Sequence, residues 1–528
     1  MRFLIPKAEF DFIASKKDIE TNENNSISSK TSVNNLKAHY FESLSSIGEI
    51  SIINEITATE ELNQICQEPD TLFATFHENP PDGLACRLME HTKGGLMVTG
   101  GFLTGWTFRD STINLVTSKI QAEQLNKRMG VAAPNLGVFV PRLSKNIFRL
   151  PSKKEEQESR QHFEVGKDCF HIVYAGRFIC NKGIVQLVRA LNLWAMPNTR
   201  VTLVGDFEDD FFIYQSNATH ATFRDYFKRE LIQRNQQVEI VTLKSMTHQS
   251  LCKLYWSANC FVYPSFHEDE NFGMSPREAM LCGVPIVVSD FCGLGQLSDA
   301  KGVTVKTFPT LGGIRYSLLE LRNALVTIKK WSEKQKAKSK LFNAEFVKDE
   351  CDTTKSSKAL RDSAESLLKI PPSPAPTGGW RSKDRLDYFI KNGPESFRRA
   401  IELANMPLPE ALYVDGTGRE WNGWFSEPHF LTAIQALYTT FDETPKVVQN
   451  NCYRGFWRVA IWKEEKALVE FGFPGPRVKR FNQKEWETLT ACAVQENKEE
   501  VVFNPTSELE IELITTLVQL GYLIPDIF

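Results

Sequence analysis

The sequence predicts an α/β protein of two successive Rossmann-like halves, followed by a smaller α+β module. Three observations predict this. A series of short apolar runs alternating with helical patterns occurs twice. A charged segment, Lys153–Arg160, separates the two series. A proline-rich segment, PPSPAPTGG at 371–379, then breaks the helical sequence and reads as an extended linker. At 528 residues the chain exceeds what one ordinary core holds. The divisions read as 1–165, 166–370, the linker 371–379 and a module at 380–528, with few contacts expected across the linker.

In the first half the apolar runs are Arg2–Ile5, Ile50–Ile53, Thr71–Phe76, Leu96–Val98, Ile113–Thr117 and Gly137–Val140. Val33–Leu44 and Lys119–Met129 carry helical patterns between them, the sequence form of a βαβ sheet with helices on both faces. Residues 14–32, rich in Lys, Asp, Glu, Asn and Ser, read as a mobile loop. The second half restarts with strand Cys169–Ala175, helix Gly183–Ala195, strand Arg200–Val204, helix Phe223–Gln233 and strand Val238–Leu243. It continues with helix His248–Ser257, strand Cys260–Tyr263, helix Ser275–Cys282 and strand Pro285–Val288. Helical sequence then runs from Tyr316 to about Ile370. Two such halves suggest similar domains facing one another across a cleft.

Composition narrows the function class. The chain is 42 % hydrophobic and 24 % charged, with a formal net charge of −3, which advertises no nucleic-acid partner. The Lys-rich stretch Lys329–Lys340 reads as the wet face of a helix rather than a lipid-phosphate patch. The eleven cysteines lie singly, without a CxxC pair, and Cys169, Cys180, Cys260 and Cys282 fall in or beside apolar runs. This fits a reducing cytoplasm, as does a start without a signal-peptide pattern. No stretch reaches the ~20 apolar residues of a membrane span; peripheral contact with a membrane face is compatible with the sequence.

The most informative segment is YPSFHEDENFGMSPREAMLCGVPIVVSD at 263–290. A buried strand ends at Tyr263–Pro264 and a polar loop bearing Glu270 follows. Asn271, Phe272, Gly273 and Met274 lead into a helix carrying Glu278, and Gly283 and Pro285 end that helix before another buried strand. Loops at the C-terminal ends of parallel strands are where such sheets bind ligands. Exposed amides at a helix start suit a phosphate. Glu270 and Glu278 are placed to accept hydrogen bonds from hydroxyl groups in one crevice.

This Glu-x7-Glu segment, with Phe-Gly after its first Glu and Gly-x-Pro before a valine-rich strand, resembles the GT4-type retaining glycosyltransferases. Upstream, YAGRFICNKG at 174–183, VTLVGD at 201–206 and LCKLYWSANCFVYPS at 251–265 resemble further elements of that family, in the same order. The resemblance covers about residues 170–290. It implies the GT-B fold, two facing Rossmann-like domains, and a nucleotide-sugar donor as co-substrate with no other cofactor and no obligatory metal. Position by position, it implies that Arg177 and Lys182 hold the diphosphate, where a departing group needs fixed positive charge. Glu278 would bind the ribose and Glu270 the transferred sugar, with Asn271, Phe272, Gly273 and Met274 lining the donor. TFHENPP at 75–81 is similar to the segment carrying the family's active-site histidine, which makes His77 a catalytic candidate alongside Glu270, Arg177 and Lys182. The acceptor stays open among glycan, lipid, small molecule and peptide.

Two features depart from the pattern. KAEFDFIASKKD stands where the family has a glycine-rich loop, and FCGLGQL, with Gly293, Gly295 and Gln296, lacks the frequent acidic residue after its glycines. The first of these supports a second reading, a carbohydrate- or nucleotide-binding regulator that kept the fold and lost turnover; a third is a sugar-nucleotide epimerase on the same fold. Residues 380–528 have no counterpart in the resemblance. They read as helices Lys383–Lys391, Glu395–Ala404 and Phe430–Thr440, strands Phe456–Trp462 and Ala467–Phe473, and helices Trp486–Gln495 and Leu509–Leu520, a winged-helix-like outline. The tryptophans at 380, 421, 424, 457, 462 and 486 read as a small core in preference to a sugar- or peptide-binding face.

Overall fold

The computed structural model describes residues 1–7, 31–54, 59–66, 68, 70–77, 92, 94–99, 111–129, 133–194, 196–207, 223–232, 238–267, 270–310, 313–369, 444–471, 477–497 and 500–526. Most of the expected mobile loop at 14–32, the segment replacing the glycine-rich loop from Ala8 onward, the proline-rich linker, the three helices expected between Lys383 and Thr440, and Trp380, Trp421 and Trp424 lie outside the described residues.

The first half contains β1 (Arg2–Pro6), α1 (Thr31–Ile47), β2 (Glu49–Ile53), α2 (Thr59–Cys66), β3 (Thr71–His77), β4 (Gly95–Thr99), β5 (Thr112–Val116), α3 (Lys119–Met129) and β6 (Leu136–Val138). Its strands form a parallel sheet in the order β2-β1-β3-β4-β5-β6. Phe3, Ile5, Leu72, Leu96 and Leu115 are sealed inside by Tyr40 and Leu44 of α1.

The charged segment expected as a mere separator is a helix, α4 (Lys153–His162), started by a capping box between Ser152 and Glu155. Arg160 near its end donates to the carbonyls of Gly166, Cys169 and Ser257 and to Asn259 Oδ1, tying the helix to the second half. There follow β7 (Phe170–Ala175), α5 (Ile184–Leu193), β8 (Thr199–Val204), α6 (Phe223–Ile232), β9 (Val238–Leu243), α7 (His248–Ser257), β10 (Cys260–Tyr263), α8 (Met274–Leu281), β11 (Ile286–Ser289), the short α9 (Cys292–Gly295) and β12 (Val303–Val305). These strands form a second parallel sheet in the order β12-β11-β10-β7-β8-β9. Numbered from its own first strand, this is the doubly wound order 3-2-1-4-5-6, which reverses direction between β7 and β10. The protein thus has the two-Rossmann, GT-B architecture that the sequence predicts.

Two differences concern the segment read as continuous helix from Tyr316. An antiparallel hairpin, β13 (Thr307–Thr310) and β14 (Gly313–Tyr316), comes first, so Tyr316 ends a strand. Three helices then follow: α10 (Leu318–Lys329), α11 (Glu333–Glu350) and α12 (Thr353–Lys369). The Lys-rich stretch is split between the end of α10 and α11, which Ser332 caps. Helix α12, placed by the sequence division in the 166–370 domain, packs on the first sheet: Leu360, Ala364 and Leu367 belong to the core of Phe3, Leu96 and Leu115.

The C-terminal part holds β15 (Cys452–Gly455), β16 (Arg458–Trp462), β17 (Ala467–Phe471), β18 (Arg477–Arg480), α13 (Gln483–Ala491), β19 (Ala493–Asn497), β20 (Glu500–Phe503), α14 (Glu508–Gln519) and β21 (Leu523–Asp526). A four-stranded sheet, β19-β20-β15-β21, and a three-stranded one, β16-β17-β18, give it more strand than a winged-helix outline. Its core is not separate. Tyr453, Phe456, Trp457, Ile514 and Leu523 join the same buried cluster as Tyr174, Phe261 and Val287. The expectation of few contacts between this module and the second half is therefore not met. Among the described residues no helix is long and apolar enough to cross a membrane.

Candidate active site

The reversal between β7 and β10 is where a doubly wound sheet leaves a crevice at its strand ends, because the loops after the two strands turn to opposite faces. After β7 comes Gly176–Lys182, closing in a short helical turn at Cys180–Lys182 before α5. Gly183 joins turn and helix with a φ of 77°, and a Cβ there would lie 2.1 Å from the Pro264 carbonyl oxygen. Glycine is therefore required on two counts, and it lets the start of α5 press against the loop after β10.

That second loop is fastened from several sides. The Phe266 amide donates to the Asn181 carbonyl at 2.9 Å. The Tyr316 hydroxyl donates to the Pro264 carbonyl at 2.8 Å, and Ser289 Oγ, at the end of β11, donates to the Ser265 carbonyl. Lys182 Nζ then meets Glu270 Oε2 at 2.5 Å, with side-chain exposures of 8 % and 9 %. Ser265 Oγ donates to the same carboxylate oxygen at 2.7 Å.

Aromatic and polar side chains surround this pair. Tyr174 and Tyr263 stack at 5.6 Å, and Lys182 Nζ lies 5.8 Å from the Tyr263 ring. Burial, and next the Glu270 charge, push both phenols well above their usual range, while Arg177 pulls each back. Burial first, then Lys182 and Arg177, hold His267 well below the usual histidine range, so it is neutral near pH 7. Arg177, Lys182, His267 and Glu270 therefore occupy one electrostatic neighbourhood.

Helix α8 starts beside it. Gly273 precedes the helix with a φ of 76° and no side chain caps the first turn, which leaves amides for an anion. Asn271 and Phe272 form the approach, backed by the α9 turn: a Cβ on Gly293 would fall 1.9 Å from the Asn271 carbonyl oxygen, and its amide donates to the Glu270 carbonyl at 2.9 Å. Met274 opens the helix and packs on the main core. Glu278, one turn further, is buried and makes no ion pair among the described residues, and burial alone raises its carboxyl to about 7.

The structure thus brings Lys182 and Glu270 into direct contact and places Arg177 within their field. The sequence gives those two residues separate ligands; in the structure each pairs with the other. His77 ends β3, and its side chain lies outside the described residues. Missed altogether were Ser265, Tyr174, Tyr263 and His267, although all four lie inside the quoted motifs. Arg277 was missed too: its guanidinium lies 3.7 Å over the Phe272 ring and makes two 2.6 Å bonds to Glu350. Gln296 donates to Glu350 at 2.6 Å and accepts from the Lys119 amide at 3.1 Å, so the start of α3 in the first half is linked to the second.

Comparison with known proteins agrees on this segment. Residues 155–306 match the family model of glycosyl transferases group 1. An uncharacterized glycosyltransferase of Methanocaldococcus jannaschii is 30 % identical over 157 residues, 29 % of this chain and 36 % of that protein. The D-inositol 3-phosphate glycosyltransferase of Paenarthrobacter aurescens is 27 % identical over 183 residues, 34 % of this chain and 41 % of its own length. The chain thus spans well under half the length of these relatives. The crystal structure of Anabaena HepE in complex with UDP and glucose covers 70 % of this chain and 100 % of its own, at 16 % identity and a TM-score of 0.44. Through residues 155–306 the chain is thus similar to the group 1 glycosyltransferases.

Proposed function

We infer that the protein transfers a sugar from a nucleoside diphosphate donor to an acceptor hydroxyl, with retention of configuration and without an obligatory metal. The observation that carries this reading is the buried Lys182–Glu270 pair at the strand reversal, with Arg177 in its field. Arrival of a donor exchanges partners. The diphosphate takes Lys182 and Arg177 as counter-charges, and sugar hydroxyls donate to the released Glu270 carboxylate. Because negative charge grows on the diphosphate as the sugar–phosphate bond breaks, fixed cations in a dry pocket stabilise the transition state more than the ground state. Glu278, whose hydrogen bonds to ribose would be equal in both states, contributes uniform binding. The family resemblance of the Glu-x7-Glu segment supports a nucleotide-sugar partner, retention and metal independence.

The test is transfer with a panel of UDP-, GDP- and ADP-sugars in EDTA, for the parent and Arg177→Ala. Expected is activity that survives EDTA and a kcat lowered roughly 10²-fold in the variant. Loss of transfer in EDTA, restored by Mn²⁺ or Mg²⁺, would overturn metal independence. A regulator without turnover is the second reading, favoured by the fact that Lys182 is already neutralised by Glu270; it predicts nucleotide binding without transfer or donor hydrolysis.

A further inference from the structure

The loop after β10 is not held by its own domain alone. Phe266, the residue between Ser265 and His267, packs edge-on against Phe456 at 4.9 Å and against Trp457 at 6.0 Å. Tyr316, whose hydroxyl holds the Pro264 carbonyl, packs edge-on against Phe456 at 5.0 Å. Phe456 and Trp457 form the corner between β15 and β16 of the C-terminal module, and both are wholly buried. The corner is fixed in turn. Arg189 donates to the Phe456 carbonyl at 2.5 Å, the Arg315 guanidinium lies 4.9 Å over the Phe456 ring, and the Tyr226 ring meets Trp457 at 5.8 Å. Arg458, the next residue, pairs with Glu230 at 2.6 Å.

Phe266 is thus gripped from two sides, by the Asn181 carbonyl on its amide and by the module on its ring. Its neighbour Ser265 bonds Glu270, and Asn181 precedes Lys182. A shift of the Phe266 ring therefore moves both members of the charged pair through a single residue on each side. Cores are close-packed and do not absorb such a shift locally.

We propose that Phe456 and Trp457 are positioning residues for the active site, and that the C-terminal module exists in this chain to set the Ser265–Glu270 segment against Lys182. The proposal rests on the reading of Lys182 and Glu270 as donor-contacting groups. It makes the module part of the transfer machinery rather than a separate sugar- or peptide-binding unit.

The experiment uses the full chain: the parent, Phe456→Leu, Phe456→Ala, and Trp462→Ala as a half-exposed control in the same module. Amide hydrogen exchange is read for 264–270 and for β7 and β8, and binding of UDP and GDP is measured by calorimetry. Expected in Phe456→Leu is exchange about 10-fold faster at 264–270, with β7 and β8 unchanged and Trp462→Ala like the parent. Transfer should show a lower kcat, with nucleoside diphosphate affinity nearly kept. Unchanged exchange at 264–270, or an increase shared equally by β7 and β8, overturns the proposal. Should Phe456→Ala fail to fold, the leucine variant decides. If the parent binds neither UDP nor GDP, the donor reading fails separately, while the exchange data still report on the corner's grip on the loop.

Discussion

The second Rossmann half has two neighbours, and it is joined to them in different ways. Toward the first half the joint is a helix end together with β6 and the connecting segment, where Leu136, Val138, Leu143 and Phe148 pack on the second core. Helix α3 rests on the α9 turn, Val116 and Leu125 reach the second core, and Gln296 links the Lys119 amide to Glu350. Toward the C-terminal module the joint is core. Rings of Tyr226, Phe266 and Tyr316 interleave with Phe456 and Trp457, and Glu230 sits between Arg189 and Arg458 with all three largely buried. A joint made of a helix end and a chain connection can open and close around ligands; a joint made of interlocked rings and buried charge cannot move without unfolding something. On the proposed transfer reading, motion falls between the two Rossmann halves, and rigidity lies behind the loop after β10.

The largest effect expected from this difference is on a chain ending at Lys369. It uncovers three rings, at about 1.5–3 kcal/mol each, and leaves Glu230 and Arg189 without the module. That sum is comparable with the whole stability of an ordinary domain, ~5–15 kcal/mol. The shortened chain should be insoluble or melt without cooperativity; unfolding within a few degrees of the full chain would show that the module is merely attached. Next in size is Glu230→Ala, which removes the carboxylate that two buried arginines share and should cost about 3–5 kcal/mol in urea unfolding. A loss below ~1 kcal/mol would mean that the pair behaves like a surface bridge.

Glu278 gives a smaller effect with a definite sign. Its carboxyl is raised to about 7 by burial. The folded state therefore holds that proton more tightly than the unfolded one, whose carboxyl titrates near 4.5. The stability from this group is fully present below about 4.5 and is lost as pH rises through 7, on the order of 1–3 kcal/mol. Glu278→Gln should flatten stability between pH 5 and 8 and raise the melting temperature at pH 8 relative to the parent. An identical pH slope in variant and parent would remove Glu278 as its source.

The second sheet was legible in the sequence because β7, β10 and β11 are short, wholly buried apolar runs, and because Arg177, Lys182, Glu270 and Glu278 lie within four ordered motifs. What escaped depends on pairing across distance. Arg277 and Glu350 are far apart in sequence, and nothing in either neighbourhood announces the other. Helix α4 escaped because it is strongly polar and is held by its capping box and by Arg160 rather than by an apolar stripe. Hairpin β13–β14 escaped because four-residue strands, one containing Pro309, carry too little alternation to separate them from the helix that follows. Trp457 was readable as a core residue, but not as the core of someone else's loop.

The smallest effect tests the movable joint. Gln296→Ala removes one bond to the Lys119 amide and one to Glu350, while Arg277 keeps Glu350 in place. Each lost bond is worth about 0.5–1.5 kcal/mol, and the freed amide at the start of α3 can turn to water. Stability should fall by less than about 3 kcal/mol, while small-angle scattering should report a wider spread of interdomain separations. Gln296→Glu should be worse than alanine. A carboxylate would still accept from the Lys119 amide, but it would face Glu350 where the amide Nε2 now donates at 2.6 Å, and two ionised carboxylates share no proton. That contrast supplies a physical reason for glutamine in a position where the family often has an acid: here Glu350 already provides the carboxylate, and the bridge needs a group that donates on one side and accepts on the other. If Gln296→Glu is as stable as the parent at pH 8, this account of the joint is wrong; if Gln296→Ala costs as much as Glu230→Ala, the two joints do not differ in kind.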